Sequence, residues 1–153
     1  MTKQRKLLRK DIMPLLTLWK HRLGLSDWLV IWEIQDFSSD DDVLAHTTAS
    51  KDDMRAKITF RSDLHEKLMG TGMTIRSIVI HELLHVKLAH LVNYAELMAL
   101  EMIGGVTGDQ VRSRIHDENE RLVDNLAICI DGWADQRNPY AKLRGTKEMS
   151  WPN

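Results

Sequence analysis

The apolar positions along the chain follow two different periods. Over 3–23, Leu7, Leu8, Ile12, Leu15, Leu16 and Trp19 recur at helical spacing and predict an N-terminal helix. Pro14 marks a kink or a fresh first turn in it, and Gly24 closes it. Over 28–37 the period drops to two, with Trp28, Val30, Trp32 and Ile34 on one face and Leu29 and Ile31 on the other. Apolar residues on both faces predict a strand covered on two sides. The segments 43–49 and 55–61, the latter with Ala56, Ile58 and Phe60 alternating, read as two further strands of a small sheet over 28–61. Asp40, Asp41 and Asp42 make a polar loop before them, and Ser50-Lys51-Asp52-Asp53 a turn between them. By order along the chain, 43–49 is the rim strand and 55–61 an inner one.

Helical spacing returns over 74–102, with Thr74 as N-cap. Ile75, Ile78, Val79, Leu84, Val86 and Leu88 surround much of this helix, so it reads as a core helix, and Met98 and Met102 as core residues on it. Gly104-Gly105 breaks the pattern, and Thr107-Gly108-Asp109-Gln110 reads as the capped start of a last helix over 109–131. Leu122, Val123, Leu126, Ala127 and Ile130 give that helix an apolar face. The end of the chain, 138–153, carries Pro139, Gly145 and Pro152 and reads as an irregular tail. The expectation is a single α+β domain over 1–153.

Composition narrows the function classes. The 153 residues are enough for one real core. A formal charge of −1 gives no electrostatic case for nucleic acid or an anionic membrane as partner, and no apolar run is long enough to span a bilayer. The basic start (Lys3, Arg5, Lys6, Arg9, Lys10) is matched by no second patch and reads as a solvated end. The single cysteine, Cys129, excludes an intrachain disulfide and fits a reducing compartment; it reads as a small core residue. A cytoplasmic monomer without leader or anchor is expected.

The candidate chemistry is concentrated in His81-Glu82-Leu83-Leu84-His85, an H-E-x-x-H run in the middle of the core helix. Residues four apart on a helix lie about 40° from one another, one turn along. Both imidazoles therefore point the same way and can share one metal ion, while the Glu82 carboxylate can reach a water bound to it. A catalytic zinc takes three protein ligands, so a third is needed. His90 points about 160° away from the two histidines on a continuous helix, and Glu96 and Glu101 lie more than ~15 Å along the axis from His85. His116, Glu118 and Glu120 remain open on spacing alone, although Glu118 and Glu120 face different ways.

Asn119-Glu120-Arg121-Leu122-Val123-Asp124 reads N-E-x-x-x-D. With H-E-x-x-H upstream, the chain resembles the gluzincins, the thermolysin-like branch of the zincin metallopeptidases, and among them the compact, single-domain minigluzincins. The resemblance rests on these two motifs and a loose topology. It implies a zincin-like fold: a small mixed sheet packed over an active-site helix, followed by a second helix that bears the glutamate ligand. It implies one Zn²⁺ held by His81, His85 and Glu120, with Asp124 orienting His81 and Asn119 orienting His85. Ligating histidines need such an acceptor on the other ring nitrogen.

The implied activity is peptide-bond hydrolysis by a metal-activated water with Glu82 as general base, on a peptide or protein substrate laid along the rim at Ala45, His46 and Thr47. The family's transition-state-stabilising residues lie outside both motifs; Tyr94 and His116 are the candidates. Two other readings stay open at this level. One is a latent or non-cleaving zinc-stabilised protein-binding module, blocked by its own C-terminal tail. The other is a zinc hydrolase acting on a non-peptide amide, which a closed pocket rather than an open cleft would mark.

Overall fold

The computed structural model describes residues 2–38, 42–50, 52–103 and 105–136. The tail expected over 138–153, Asp40 and Asp41 of the polar loop, Lys51 of the turn and Gly104 lie outside them. In order the elements are α1 (Lys3–Arg22), β1 (Leu29–Gln35), β2 (Ala45–Ser50), β3 (Arg55–Arg61), α2 (Leu64–Leu68), α3 (Ile75–Ile103) and α4 (Gly105–Gln136). The architecture is α+β, with one mixed three-stranded sheet and the long helices against one of its faces.

Helix α1 runs unbroken through Pro14 and buries Leu8, Ile12, Leu16 and Trp19 as one stripe. It stops because Gly24 adopts φ +66°, which lets the Gly24 and Leu25 N–H groups close on the carbonyls of His21 and Lys20. Leu25, buried beyond the turn, pins the exit.

Strand order in the sheet is β1-β3-β2, with β1 parallel and β2 antiparallel to β3. Register places Val30, Trp32 and Ile34 beside Ala56, Ile58 and Phe60, and these beside Ala49, Thr47 and Ala45. Those nine side chains share the face turned toward the helices, where Ile58 and Phe60 are fully buried. The opposite face is open and mostly polar, tied by the Glu33–Lys57 ion pair.

The expectation that β1 is covered on both sides fails. Leu29 and Ile31 stand on the open face, more than half exposed, because helices cover one layer only. Strand β2 is the edge beside α3, and β3 is central, so the rim and inner positions fall as chain order suggests. Arg61, at the end of β3, is fully buried and held by Asp63 and the Val43 carbonyl.

Helix α3 opens at a reciprocal cap. The Thr74 hydroxyl accepts from the Ser77 N–H, and the Ser77 hydroxyl accepts from the Thr74 N–H, each at 3.0 Å. Helices α3 and α4 form an antiparallel pair: Arg76 meets Asp131 near one end, His81 meets Asp124 mid-way, and Glu96 meets Arg112 toward the other.

Helix α4 begins at Gly105, four residues before the predicted start, so Thr107 and Gly108 are interior. Gly108 is buried against Ala99 and Leu100; it serves close helix packing rather than a cap. Met102, in the last turn of α3, is 75% exposed rather than core. The single-turn α2, anchored by buried Leu64, has too little periodicity to be read from sequence. Among the described residues no helix is long and apolar enough to cross a membrane.

Candidate metal centre

Three donors converge where α3 and α4 face each other under the sheet's edge. Nε2 of His81 and Nε2 of His85 are 3.0 Å apart, and Oε2 of Glu120 lies 3.8 Å from the first and 3.5 Å from the second. Bonds of ~2.0–2.1 Å to a tetrahedral ion separate any two of its ligand atoms by ~3.3 Å. The triangle therefore has the size of one face of such a coordination shell. Two imidazole nitrogens and a carboxylate oxygen are also a donor set that suits a divalent ion of intermediate softness. His81, His85 and Glu120 could hold a metal.

The flanking groups address the other ring nitrogens. Oδ1 of Asp124 is 3.0 Å from Nδ1 of His81. Nδ2 of Asn119 is 3.4 Å from Nδ1 of His85, and Asn119 Oδ1 is buried without a hydrogen-bond partner. A histidine bound through Nε2 must carry its proton on Nδ1 and donate it. A half-turn of the Asn119 amide brings its orphaned oxygen to that proton, so the buried polar group finds its partner when His85 is a ligand. Arg76 and Asp131, ion-paired between the helices, fix the same face further along.

Glu82 lies beside the trio and is 4% exposed. Its Oε2 accepts a hydrogen bond from the Thr47 hydroxyl at 2.6 Å. Burial pushes its pKa up to about 7, with the Thr47 bond pulling it down and the Glu120 charge adding to the rise. The His85 pKa is lowered to about 4, first by burial and then by the neighbouring histidines His81, His116 and His46, against a smaller opposite effect of Asp124. Metal-free, the site thus favours a neutral imidazole at His85, the form that ligates.

A cleft runs past the trio on both sides. One end, of about 700 Å³, is bordered by apolar Leu44, Met73, Ile78, Ala127 and Ile128. The other, of about 430 Å³, is bordered by His46, Asn93, His116 and Asn119. Val43, Ala45, His81, Glu82 and Glu120 line both, so the two ends are continuous across the donors.

Most of the residues singled out from sequence meet here, and some do not. Ala45 and Thr47 point inward from the rim strand, while His46 alternates outward but still borders the polar end. His116 lies 4.0 Å from Glu120 at that end. Tyr94 is exposed and sits about 180° around α3 from His85, so it faces away from the centre. Glu118 pairs with Arg121 on the exposed side, and His90 packs edge-on against Trp28. Of the three candidates left open by spacing, Glu120 is the one at the histidines. Cys129 is exposed rather than core.

Thr47, expected on the substrate rim, also donates a hydrogen bond to Glu82 that no motif announces. The signal was present: a lone hydroxyl between Ala45 and Ala49 on the inward face of a strand. Compared with family models, curated proteins and solved structures, the chain matches none.

Proposed function

We propose that the protein is a zinc-dependent endopeptidase of the gluzincin kind, with a zincin-like arrangement of sheet, motif helix and glutamate helix. The observation that carries the reading is the convergence of His81 Nε2, His85 Nε2 and Glu120 Oε2 next to a buried carboxylate, Glu82. A site that only stabilises a fold has no need of that carboxylate, whereas hydrolysis needs a base at that place. An open cleft continuous on both sides of the donors favours an extended chain over a small amide, which a closed pocket would suit.

Zinc, when bound, supplies a Lewis acid for a carbonyl oxygen and an acidified water ligand. The remaining work belongs to the chain. His81, His85 and Glu120 bind, and Asp124 and Asn119 orient the imidazoles. The outer edge of β2, paired by no strand among the described residues, can hold an extended peptide by backbone hydrogen bonds, without reading its sequence. Glu82 takes a proton at a carboxylate oxygen as the scissile carbonyl is attacked, and returns it to the leaving amine. Its elevated pKa suits a group that must both accept and release a proton near neutrality.

The test is incubation of zinc-loaded wild type and Glu82→Gln with a complex peptide mixture, with new termini read by mass spectrometry. Cuts by wild type alone are expected, with a loss of at least ~10²-fold in the variant. Equal cutting by both overturns Glu82 as the base. No cuts by either overturns the reading as an active peptidase in favour of a latent or non-cleaving zinc module.

A further inference from the structure

We propose that Thr47 is a positioning residue for Glu82: from the rim strand it occupies one carboxylate oxygen and leaves the other to take and return the proton. The inference rests on the peptidase reading above and adds to it a link between the strand that holds substrate and the group that moves the proton.

The geometry is specific. Strand alternation turns Ala45, Thr47 and Ala49 toward α3. The two alanines are short enough to let the edge of the sheet approach the helix, and the threonine between them fills the gap with a hydroxyl. That hydroxyl is 2.6 Å from Glu82 Oε2 and 3.4 Å from the Glu82 carbonyl oxygen. A threonine has one proton to give. The shorter contact has the length of a charge-assisted O–H···O bond, so the proton goes to the carboxylate. Among the described residues no other side chain is found hydrogen-bonded to Glu82, and with 4% exposure the group has little water to fix it. Without Thr47, the carboxylate loses the one side-chain hydrogen bond found for it among the described residues.

The placement has a mechanical consequence. Strand β2 is an edge, hydrogen-bonded on one side to β3, and its other side is where an extended chain can pair. A substrate strand that seats on β2 fixes the very strand that carries Thr47. Substrate pairing and the aim of the Glu82 carboxylate are then set by one rigid piece rather than two. Misplacement of a reacting group by about 1 Å costs on the order of 10²-fold in rate.

A purely structural role for Thr47 makes the opposite prediction for two substitutions. Thr47→Val keeps the β-branched shape and strand preference and removes the hydroxyl. Thr47→Ser keeps the hydroxyl and loses the methyl. If Thr47 only packs, valine is harmless and serine is the weaker protein.

The experiment measures kcat and KM for wild type, Thr47→Val, Thr47→Ser and Glu82→Gln, all zinc-loaded, on a quenched peptide built around the best cut found in the mixture. Zinc content and Tm are read alongside. Thr47→Val is expected to lose about 10- to 100-fold in kcat, the worth of one hydrogen bond to a charged group, with KM within about twofold and zinc content unchanged. Thr47→Ser is expected to recover most of that rate. Wild-type kcat in Thr47→Val, or a loss confined to KM, overturns the inference while leaving the peptidase standing. A wild type that cuts nothing overturns the peptidase reading itself, and the role of Thr47 falls with it.

Discussion

Asp124 on α4 places its Oδ1 3.0 Å from Nδ1 of His81 on α3, so one helix sets the tautomer and ring angle of a donor carried by another. The Asp124 side chain is largely exposed, and nothing in the core depends on it. Its removal separates donor orientation from folding. Asp124→Ala is expected to weaken zinc binding by ~10–100-fold, with secondary structure unchanged by circular dichroism. Competition against a chelator of known affinity gives the number. A titration that overlays the wild type would remove Asp124 from the site.

The candidate donors straddle two helices, so an ion held there would also add to stability. His81 and His85 belong to α3 and Glu120 to α4; an ion held by all three staples the antiparallel pair near its middle. An ion at 100 times its dissociation constant stabilises the folded state by ~2.7 kcal/mol. For a chain of this size that corresponds to a rise in Tm of ~5–10 °C. Scanning fluorimetry with zinc against chelator should show that rise in wild type and lose most of it in Glu120→Gln. An equal rise in both proteins would put the ion somewhere else.

The parts of this fold that were legible in the sequence are those where one period dominates. Leu8, Ile12, Leu16 and Trp19 announced α1, the alternation Ala56, Ile58, Phe60 announced β3, and Gly24 at the end of α1 and Thr74 at the start of α3 were recognisable caps. Periodicity could not say how many layers cover a strand, so Leu29 and Ile31 looked buried although they face outward. Nor could it tell a glycine that stops a helix from one that packs inside it: Gly24 does the first at φ +66°, Gly108 the second against Ala99. At the site, the convergence of His81 and His85 was legible because residues four apart on a helix share a face. Thr47 obeys no spacing relative to Glu82; only the three-dimensional approach of β2 to α3 relates them.

The α1 stop is testable on its own. At φ +66° Gly24 occupies the left-handed region, where a Cβ costs roughly 1–2 kcal/mol. An added Cβ would meet only Lys87 Nζ at 3.6 Å, an ordinary contact with the end of a flexible side chain, so the penalty is conformational rather than steric crowding. Gly24→Ala should lower Tm by ~2–8 °C at that cost, and leave zinc affinity intact because the turn is remote from the donors. Unchanged stability in urea titration would contradict the left-handed turn.

The buried Glu82 gives a pH dependence whose sign is fixed. Its folded-state pKa, raised from the ordinary 4.5 to about 7, means that the folded protein binds the proton more tightly than the unfolded chain. The stability this confers is fully present below about pH 4.5 and is lost as pH rises through 7. Glutamine at position 82 cannot titrate and can still accept from Thr47. The stability of Glu82→Gln relative to wild type, both metal-free, should therefore climb between pH 5 and 8, by up to about 3 kcal/mol at ~1.4 kcal/mol per pKa unit. His85 works in the other sense: with its pKa lowered from 6.5 to about 4, it costs stability as pH falls across that window. Both proteins carry His85, so its effect drops out of the difference. Urea melts of the two proteins in chelator at pH 5, 6, 7 and 8 give the curve directly. A difference that stays flat over that range would mean that Glu82 is solvated in the metal-free protein, and would remove burial as the source of its basicity.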